Sequence, residues 1–573
     1  MKAAENRSAD RDASGLPDTL AHALTADGTF TAEWSARADH DESFPDVACA
    51  ILDGLGLAAA YVPTTLGGTW SDHERLLRLV RAVAAHDITV AVAHMKTFLG
   101  SVSVWLSGDD AQCARLADVV LAGRPVSWAL SEPDHGADLL SGEVTALRVP
   151  GGYELNGVKW LINNATRSDQ ICVLARTDPV GGGRGHSLFL VDKARLAEGG
   201  YEILPKFRTV GIRGADISGI AFHHAVIAED TMVGPEGTGV ETVLRALQLT
   251  RVAATGLSLG AAEHALRLSV RFASERIIQD RPLIERPIVR HRLVRCLGVL
   301  LAAEAACTLA ARSVHTLTEE LSIVSAVVKA AVPTWIDWVI KELAELLGAR
   351  SFLLSAFADG MFQKLQRDHQ IVAIFDGSTL VNRAALIGQF PRLVRGYAEG
   401  REDATALALT ADLGREVPPL DATRLVLSAT RGCSAVQALP RILSEEEGNA
   451  EIPFATDLKK CLDELHEGLS RVSPSPFPSV VAFELAEAYE AAYAAAACLH
   501  LWQGGRGGRV GWWLPVTLAE LLPRMSHGPS EPGSGHVSIP ATEAAMDWLL
   551  HAVAEGAPLS LRSLLAADEG VRP

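Results

Sequence analysis

The chain has 573 residues, 48% of them apolar, and a formal net charge of −17 at pH 7. That length suggests three or four domains with ample material for their cores. The acidic balance argues against a nucleic-acid binder and against a polybasic membrane protein.

The start, Met1-Lys2-Ala3-Ala4-Glu5-Asn6-Arg7, is polar and lacks the apolar core of a signal peptide, and no run of 18 or more apolar residues suggests a membrane span. Residues 1–18 read as a frayed tail, and the pattern from Leu20 to Leu121 is helical. Leu76, Leu77, Val80 and Val83 recur at helical spacing within Asp72 to Ala85. A first helical domain is therefore expected over 1–122.

Over 123–236 the period changes to that of strands, and a middle β-domain is expected. Val126 to Ser131, Ile171 to Ala175, Ser187 to Val191 and Ile220 to Phe222 read as strands. Gly152 to Ile162 reads as two strands joined by an Asn156-Gly157 turn. Gly181-Gly182-Gly183-Arg184-Gly185 precedes no helix, so it reads as a hairpin tip and not as a phosphate loop. Ser131 to Asp138 sets a hydroxyl at a strand end ahead of a glycine and flanking acids, which suits a binding loop.

Helices return over 237–395. Thr238-x-x-Glu241 reads as a capping box opening a helix that runs to Glu275-Arg276. A second helix starts near Val289, and a third covers Leu321 to Leu347. Arg367 to Ile374 reads as a helix end, followed by Phe375-Asp376-Gly377-Ser378, where a carboxylate stands at a turn. Residues 396–573 form a further helical domain. Its expected helices are Ala406 to Leu413, Thr423 to Leu439, Leu458 to Leu469 and Val480 to Trp502, with breaks at 503–508 and 526–538. His500, His527 and His536 are not spaced as metal ligands, and no metal is expected. The eight scattered cysteines form no C-x-x-C pair and read as free thiols of a cytoplasmic protein.

Three motifs in series carry a family resemblance: Trp128-Ala129-Leu130-Ser131-Glu132-Pro133-x-x-Gly136-x-Asp138, then Asn156-Gly157-x-Lys159-Trp160-Leu161-Ile162-Asn163-Asn164, then Val210-Gly211-Ile212-Arg213. Their order and spacing resemble the acyl-CoA dehydrogenase family across residues 20 to about 395. The resemblance implies a mainly α fold with a central, barrel-like β-domain, here followed by an extra C-terminal helical domain. It implies FAD as cofactor, with α,β-dehydrogenation of an acyl thioester. Asp376 falls where the family has the glutamate that removes the α-proton while flavin N5 takes the β-hydride.

By the same resemblance, Trp128, Leu130, Ser131, Gly136, Ala137, Leu161, Asn163 and Ser378 bind FAD. Arg276, Gln279, Glu345 and Gly348 contact the FAD of a neighbouring subunit, and Thr250, Arg251, Phe375 and Gly377 lie beside substrate. Glu345 replaces a family glutamine, and a carboxylate there repels a diphosphate. Without the resemblance, Arg276 reads equally well as a charge at a helix C-terminus. Aspartate at 376 is one methylene shorter than glutamate, which keeps an oxidase or monooxygenase on the same scaffold as an alternative. A flavin-poor binding protein is a third. Lys159-Trp160-x-Ile162-x-Asn164-Ala165-Thr166 resembles a branch that acts on acyl carrier proteins, so the substrate is acyl-CoA or acyl carrier protein. The implied partners are an electron-transfer flavoprotein and a second copy of the chain, as a homodimer or homotetramer.

Overall fold

The structure is a computed structural model that describes residues 20, 24, 30–445, 454–504, 511–526 and 537–568. The expectations for residues 1–18, 505–508 and 527–536 lie outside the described residues.

Helices α1 (Ala32–His40), α2 (Asp46–Gly54), α3 (His73–Ala84), α4 (Ile88–Ser107) and α5 (Asp110–Leu121) come first. Thr31 caps α1, and aspartates set the starts of α3, α4 and α5. Asp87 Oδ1 accepts the backbone N–H groups of Thr89 and Val90 at 2.8 and 3.2 Å, and Asp109 forms a capping box with Gln112.

The middle region is one sheet: β1 (Val126–Ala129), β2 (Thr145–Val149), β3 (Gly152–Asn163), β4 (Gln170–Arg176), β5 (His186–Asp192), β6 (Tyr201–Leu204), β7 (Ile217–Ala228) and β8 (Met232–Val233). Its order is β6-β7-β3-β2-β4-β5-β8, with β1 parallel to β4. The glycine cluster is the tip joining β4 to β5, as expected. Asn156-Gly157 is not a turn. Residues 152–163 form one strand that pairs with β7 on both sides of a register shift at Leu155/Gly157. Gly157 has φ 123°, the conformation of a bulge, and a local turn signal does not distinguish a bulge from a hairpin.

The helical bundle contains α6 (Gly239–Glu275), the hairpin β9 (Ile277–Ile278) and β10 (Arg281–Pro282), α7 (Pro287–Thr316), α8 (Leu321–Leu347), α9 (Met361–His369), α10 (Thr379–Ile387) and α11 (Phe390–Glu399). The expected capping box at α6 does not form. The Thr238 hydroxyl donates to Pro235 O at 2.6 Å, and Glu241 pairs with Arg245. Contrary to the sequence expectation, three helical stretches (Ile88–Ser107, Pro287–Thr316 and Thr318–Ser351) are long and apolar enough to cross a membrane. Scattered polar residues interrupt their apolar runs without lowering the average hydropathy much. The apolar windows are 89, 94 and 83% buried within the protein, so they fill its core.

The extension contains α12 (Ala404–Ala411), α13 (Ser434–Gln437), α14 (Leu439–Glu445), α15 (Ala455–Ser470), α16 (Val480–Gly504), α17 (Trp513–Met525), α18 (Ile539–Ala554) and α19 (Leu561–Asp568). Thr423 to Leu439 is not one helix. Its buried Leu425, Ala429 and Cys433 lie in irregular backbone, where Ala429 N–H donates to Ser322 Oγ and Ser434 N–H to Glu320. Tertiary partners replace the helical hydrogen bonds there. Ion pairs join the extension to the rest: the buried Arg383 with Glu490 at 2.8 Å, and the partly exposed Arg562 with the buried Glu74 at 2.6 Å.

Candidate active site

Asp376 stands just beyond the exit of α9. Asp376 has φ 56° and Gly377 φ 90°, so two successive left-handed residues reverse the chain. Ser378 then caps α10 by accepting the Val381 N–H. A left-handed non-glycine residue costs about 1–2 kcal/mol, least for Asp and Asn. The surroundings hold the turn in place. Arg251 Nε donates to Asp376 O at 3.0 Å. Lys329 Nζ donates to Val372 O at 2.7 Å and Gly377 O at 3.3 Å, bridging both ends of the loop. Asn382 Nδ2 donates to Gly377 O and Ser378 O. Upstream, the buried His369 fixes the helix exit, with Nδ1 2.6 Å from Asp337 Oδ1 and Nε2 2.9 Å from Ser258 Oγ.

The turn leaves the Asp376 carboxylate uncommitted: its Oδ2 is buried without a hydrogen-bond partner. Three cations face it. Burial lowers the pKa of Lys329 to about 7 and that of Arg251 to about 10, and pushes Lys96 down, while the Asp376 charge opposes each shift. Lys96 Nζ lies 3.5 Å over the Phe375 ring. Thr250 is fully buried, and its Oγ1 has no partner.

Helix α4 connects this cluster to the strand ends. It carries Lys96, its Ala93 carbonyl accepts Asn164 Nδ2 at 2.9 Å, and its Gly100 packs on the backbone of Val126 and Ser127. The structure brings Trp128, Leu130 and Ser131 against Trp160 to Asn163. Ser127 Oγ donates to Asn163 O, and Ser131 Oγ to Trp160 O. Beneath them Lys159 Nζ pairs with the buried Glu132 at 2.7 Å, and Glu132 also accepts the N–H groups of Glu143 and Val144. Leu161 sits at a second bulge with φ 55° and is half-exposed.

Trp128 Nε1 and both side-chain polar atoms of Asn163 are buried without partners. An unmade buried hydrogen bond costs about 1–3 kcal/mol. Gly136 and Ala137 are exposed, and nothing would meet a Cβ added at Gly136. Unpaired donors and acceptors beside an open glycine turn fit a flat polar ligand such as the flavin of FAD.

The remaining expected cofactor residues are not part of this cluster. Arg276 caps α6 about 37 Å along the helix axis from Arg251, and Glu345 lies about 24 Å along α8 from Lys329. Gln279 accepts from Arg286, and Gly348 ends α8 with φ 60°. Glu345 pairs with Arg292 at 3.3 Å, which offsets the charge that the glutamine replacement introduces. The exposed apolar residues Ile277, Phe352 and Leu354 belong to these same stretches at the ends of α6 and α8, and the exposed Ile288 opens α7.

A surface cleft of about 550 Å³, lined by Glu42, Arg208, Arg213 and Arg367 among others, involves none of Phe375 to Ser378. Arg213 pairs there with Glu42, and Gly211 packs on the Arg367 carbonyl, so the Val210-Gly211-Ile212-Arg213 motif docks on α9. Sequence reasoning missed Lys96, Lys329 and Asn382. The available signal was a lysine inside an apolar run of each of two helices, Lys96 in α4 and Lys329 in α8, a placement that requires a specific partner.

Residues 127–225 match the acyl-CoA dehydrogenase middle domain, and residues 237–389 match the acyl-CoA dehydrogenase C-terminal domain. The probable acyl-CoA dehydrogenase FadE25 of Mycobacterium tuberculosis is 26% identical over 353 residues, 61% of this chain and 89% of that protein. The human mitochondrial short-chain specific acyl-CoA dehydrogenase is 26% identical over 373 residues, 63% of this chain and 86% of that protein. An acyl-CoA dehydrogenase from Bacillus anthracis, solved with FAD, superposes with a TM-score of 0.69 at 17% identity and covers 96% of each chain, so its fold includes the extension. The chain carries the middle and C-terminal domains of the acyl-CoA dehydrogenase family, FAD-dependent oxidoreductases that act on CH–CH bonds.

Proposed function

We propose that this chain dehydrogenates an acyl thioester to its α,β-unsaturated product, with Asp376 as the base that removes the α-proton. The observation that carries this reading is the free, buried Asp376 Oδ2, held in a braced turn beside Thr250 and Arg251. A general base must reach its proton without first breaking an internal bond, and this carboxylate has no such bond to break. Trp128, Leu130, Ser131, Leu161, Asn163 and Ser378 are the residues that would hold FAD, with Gly136 and Ala137 leaving room for it. FAD bound there supplies the two-electron acceptor for the hydride that leaves Cβ. Arg251 and Lys329 stabilise the negative charge that moves from Asp376 towards the thioester oxygen. Phe375 and Thr250 form walls beside the acyl chain.

Arg276, Gln279 and Gly348 act on the FAD of a second subunit in this reading. Their distance from Asp376 within one chain, and the exposed Ile277, Phe352 and Leu354 on the same stretches, support a homodimer. An electron-transfer flavoprotein would be the partner that takes the electrons on, and free thiols, five of them buried, support a cytoplasmic setting. The Lys159 to Thr166 motif supports an acyl carrier protein as the thioester carrier.

The test is anaerobic mixing of the FAD-loaded protein with a panel of acyl thioesters on CoA and on carrier protein. Flavin bleaching should coincide with a product two hydrogens lighter by mass spectrometry. No bleaching with any thioester would sink the proposal. Rapid reoxidation by air would assign the chain to the oxidases instead, and a clear preference for CoA would remove the carrier-protein reading.

A further inference from the structure

Lys96 is the cation of the Asp376 cluster that the fold leaves unused. Lys329 Nζ is engaged by the carbonyls of Val372 and Gly377, and Arg251 Nε by the carbonyl of Asp376. Lys96 Nζ makes no hydrogen bond or ion pair among the described residues and rests over the face of Phe375. Lys96 is only partly exposed on α4, where its neighbours Met95 and Thr97 are buried. Taking such an ammonium out of its remaining solvent without an acceptor is unfavourable. An aromatic face attracts it but offers no lone pair.

Three cations here surround a single carboxylate. A purely apolar acyl chain against Phe375 would bury Lys96 further and leave its charge unbalanced. An acyl group with its own carboxylate would supply the missing acceptor. We infer that Lys96 is a specificity-determining residue that selects an acyl group bearing a carboxylate at its far end, a dicarboxylic monothioester. This rests on the dehydrogenase reading above. Burial has already pushed the Lys96 amine down, and a carboxylate ligand would restore its charged form.

The test compares wild type, Lys96→Met and Lys96→Arg as FAD-loaded proteins. The probes are succinyl, glutaryl and adipyl thioesters against butyryl, pentanoyl and hexanoyl thioesters of the same chain lengths, each on CoA and on a carrier-protein arm. The readout is kcat/KM from anaerobic flavin bleaching. At one chain length or more, wild type should prefer the dicarboxylic member by about 100-fold, as expected of a site built to pair a polar group. Lys96→Met should lose that preference chiefly through KM, and Lys96→Arg should keep it. A wild-type preference for the monocarboxylic series, or an equal preference in wild type and Lys96→Met, overturns the inference and leaves the dehydrogenase reading standing. Bleaching by no thioester removes both.

Discussion

Replacing Asp376 with asparagine separates the chemistry of the carboxylate from the shape of the loop. Asparagine matches aspartate in size and tolerates the left-handed φ of 56°. The bond from Arg251 Nε goes to the backbone carbonyl of residue 376, so it survives, as do the Lys329 and Asn382 contacts to the flanking carbonyls. The carboxylate has an unpartnered Oδ2, so no side-chain hydrogen bond is lost, but the charge that faces Lys96, Arg251 and Lys329 is removed. The stability cost should therefore be about 0.5–3 kcal/mol. The chemical loss is much larger, since a positioned general base contributes on the order of 10²–10⁴ in rate. At about 1.4 kcal/mol per decade this is about 3–5.5 kcal/mol of barrier. The assay is single-turnover flavin bleaching by a thioester that wild type oxidises, alongside FAD content and thermal unfolding of both proteins. The expected Asp376→Asn protein is yellow, folded and slower by 100-fold or more. Bleaching within tenfold of wild type would refute the assignment of the base.

Lys329 makes the wild-type rate depend on pH. Below about pH 7 its charge stabilises the negative charge that moves from Asp376 towards the thioester oxygen, and above that pH the amine is neutral. The bleaching rate should fall as pH rises through about 7, and Lys329→Met should be slower overall and lack that limb; an unchanged limb refutes the role. In the unfolded chain this lysine keeps its proton up to about pH 10.4. Stability should therefore rise with pH between about 7 and 10 in wild type, and the Lys329→Met substitution should remove that contribution. Lys159→Met strands the buried Glu132 carboxylate and should cost about 3–5 kcal/mol in denaturant unfolding, with early release of FAD. Gly211→Ala places a Cβ 2.1 Å from Arg367 O, so overpacking should lower stability by about 1–3 kcal/mol; an unchanged melting temperature would show that the loop moves freely off α9.

Much of the architecture was legible because it is periodic. The spacing of apolar residues located α6, α7 and α8, and α8 spans the expected Leu321–Leu347. The change to period two located the sheet, and the motif series located Asp376. Errors fell where local chemistry has two uses. Asn-Gly serves a bulge as well as a hairpin, Thr238 bonds to Pro235 in place of capping, and 425–433 trades helical bonds for tertiary ones.

The site divides in the same way. The sequence alone determined that a carboxylate stands at a glycine turn after a helix exit, because a turn is a property of neighbouring residues. That Asp376 is itself left-handed, braced through Arg251 and Lys329 and faced by Lys96, was decided only by the tertiary structure. Those cations come from α4, α6 and α8, and no local pattern records which helices meet. The charge around Asp376 is a product of packing: each lysine looks like an interruption in its own apolar helix, and the two acquire a shared partner only when the helices converge.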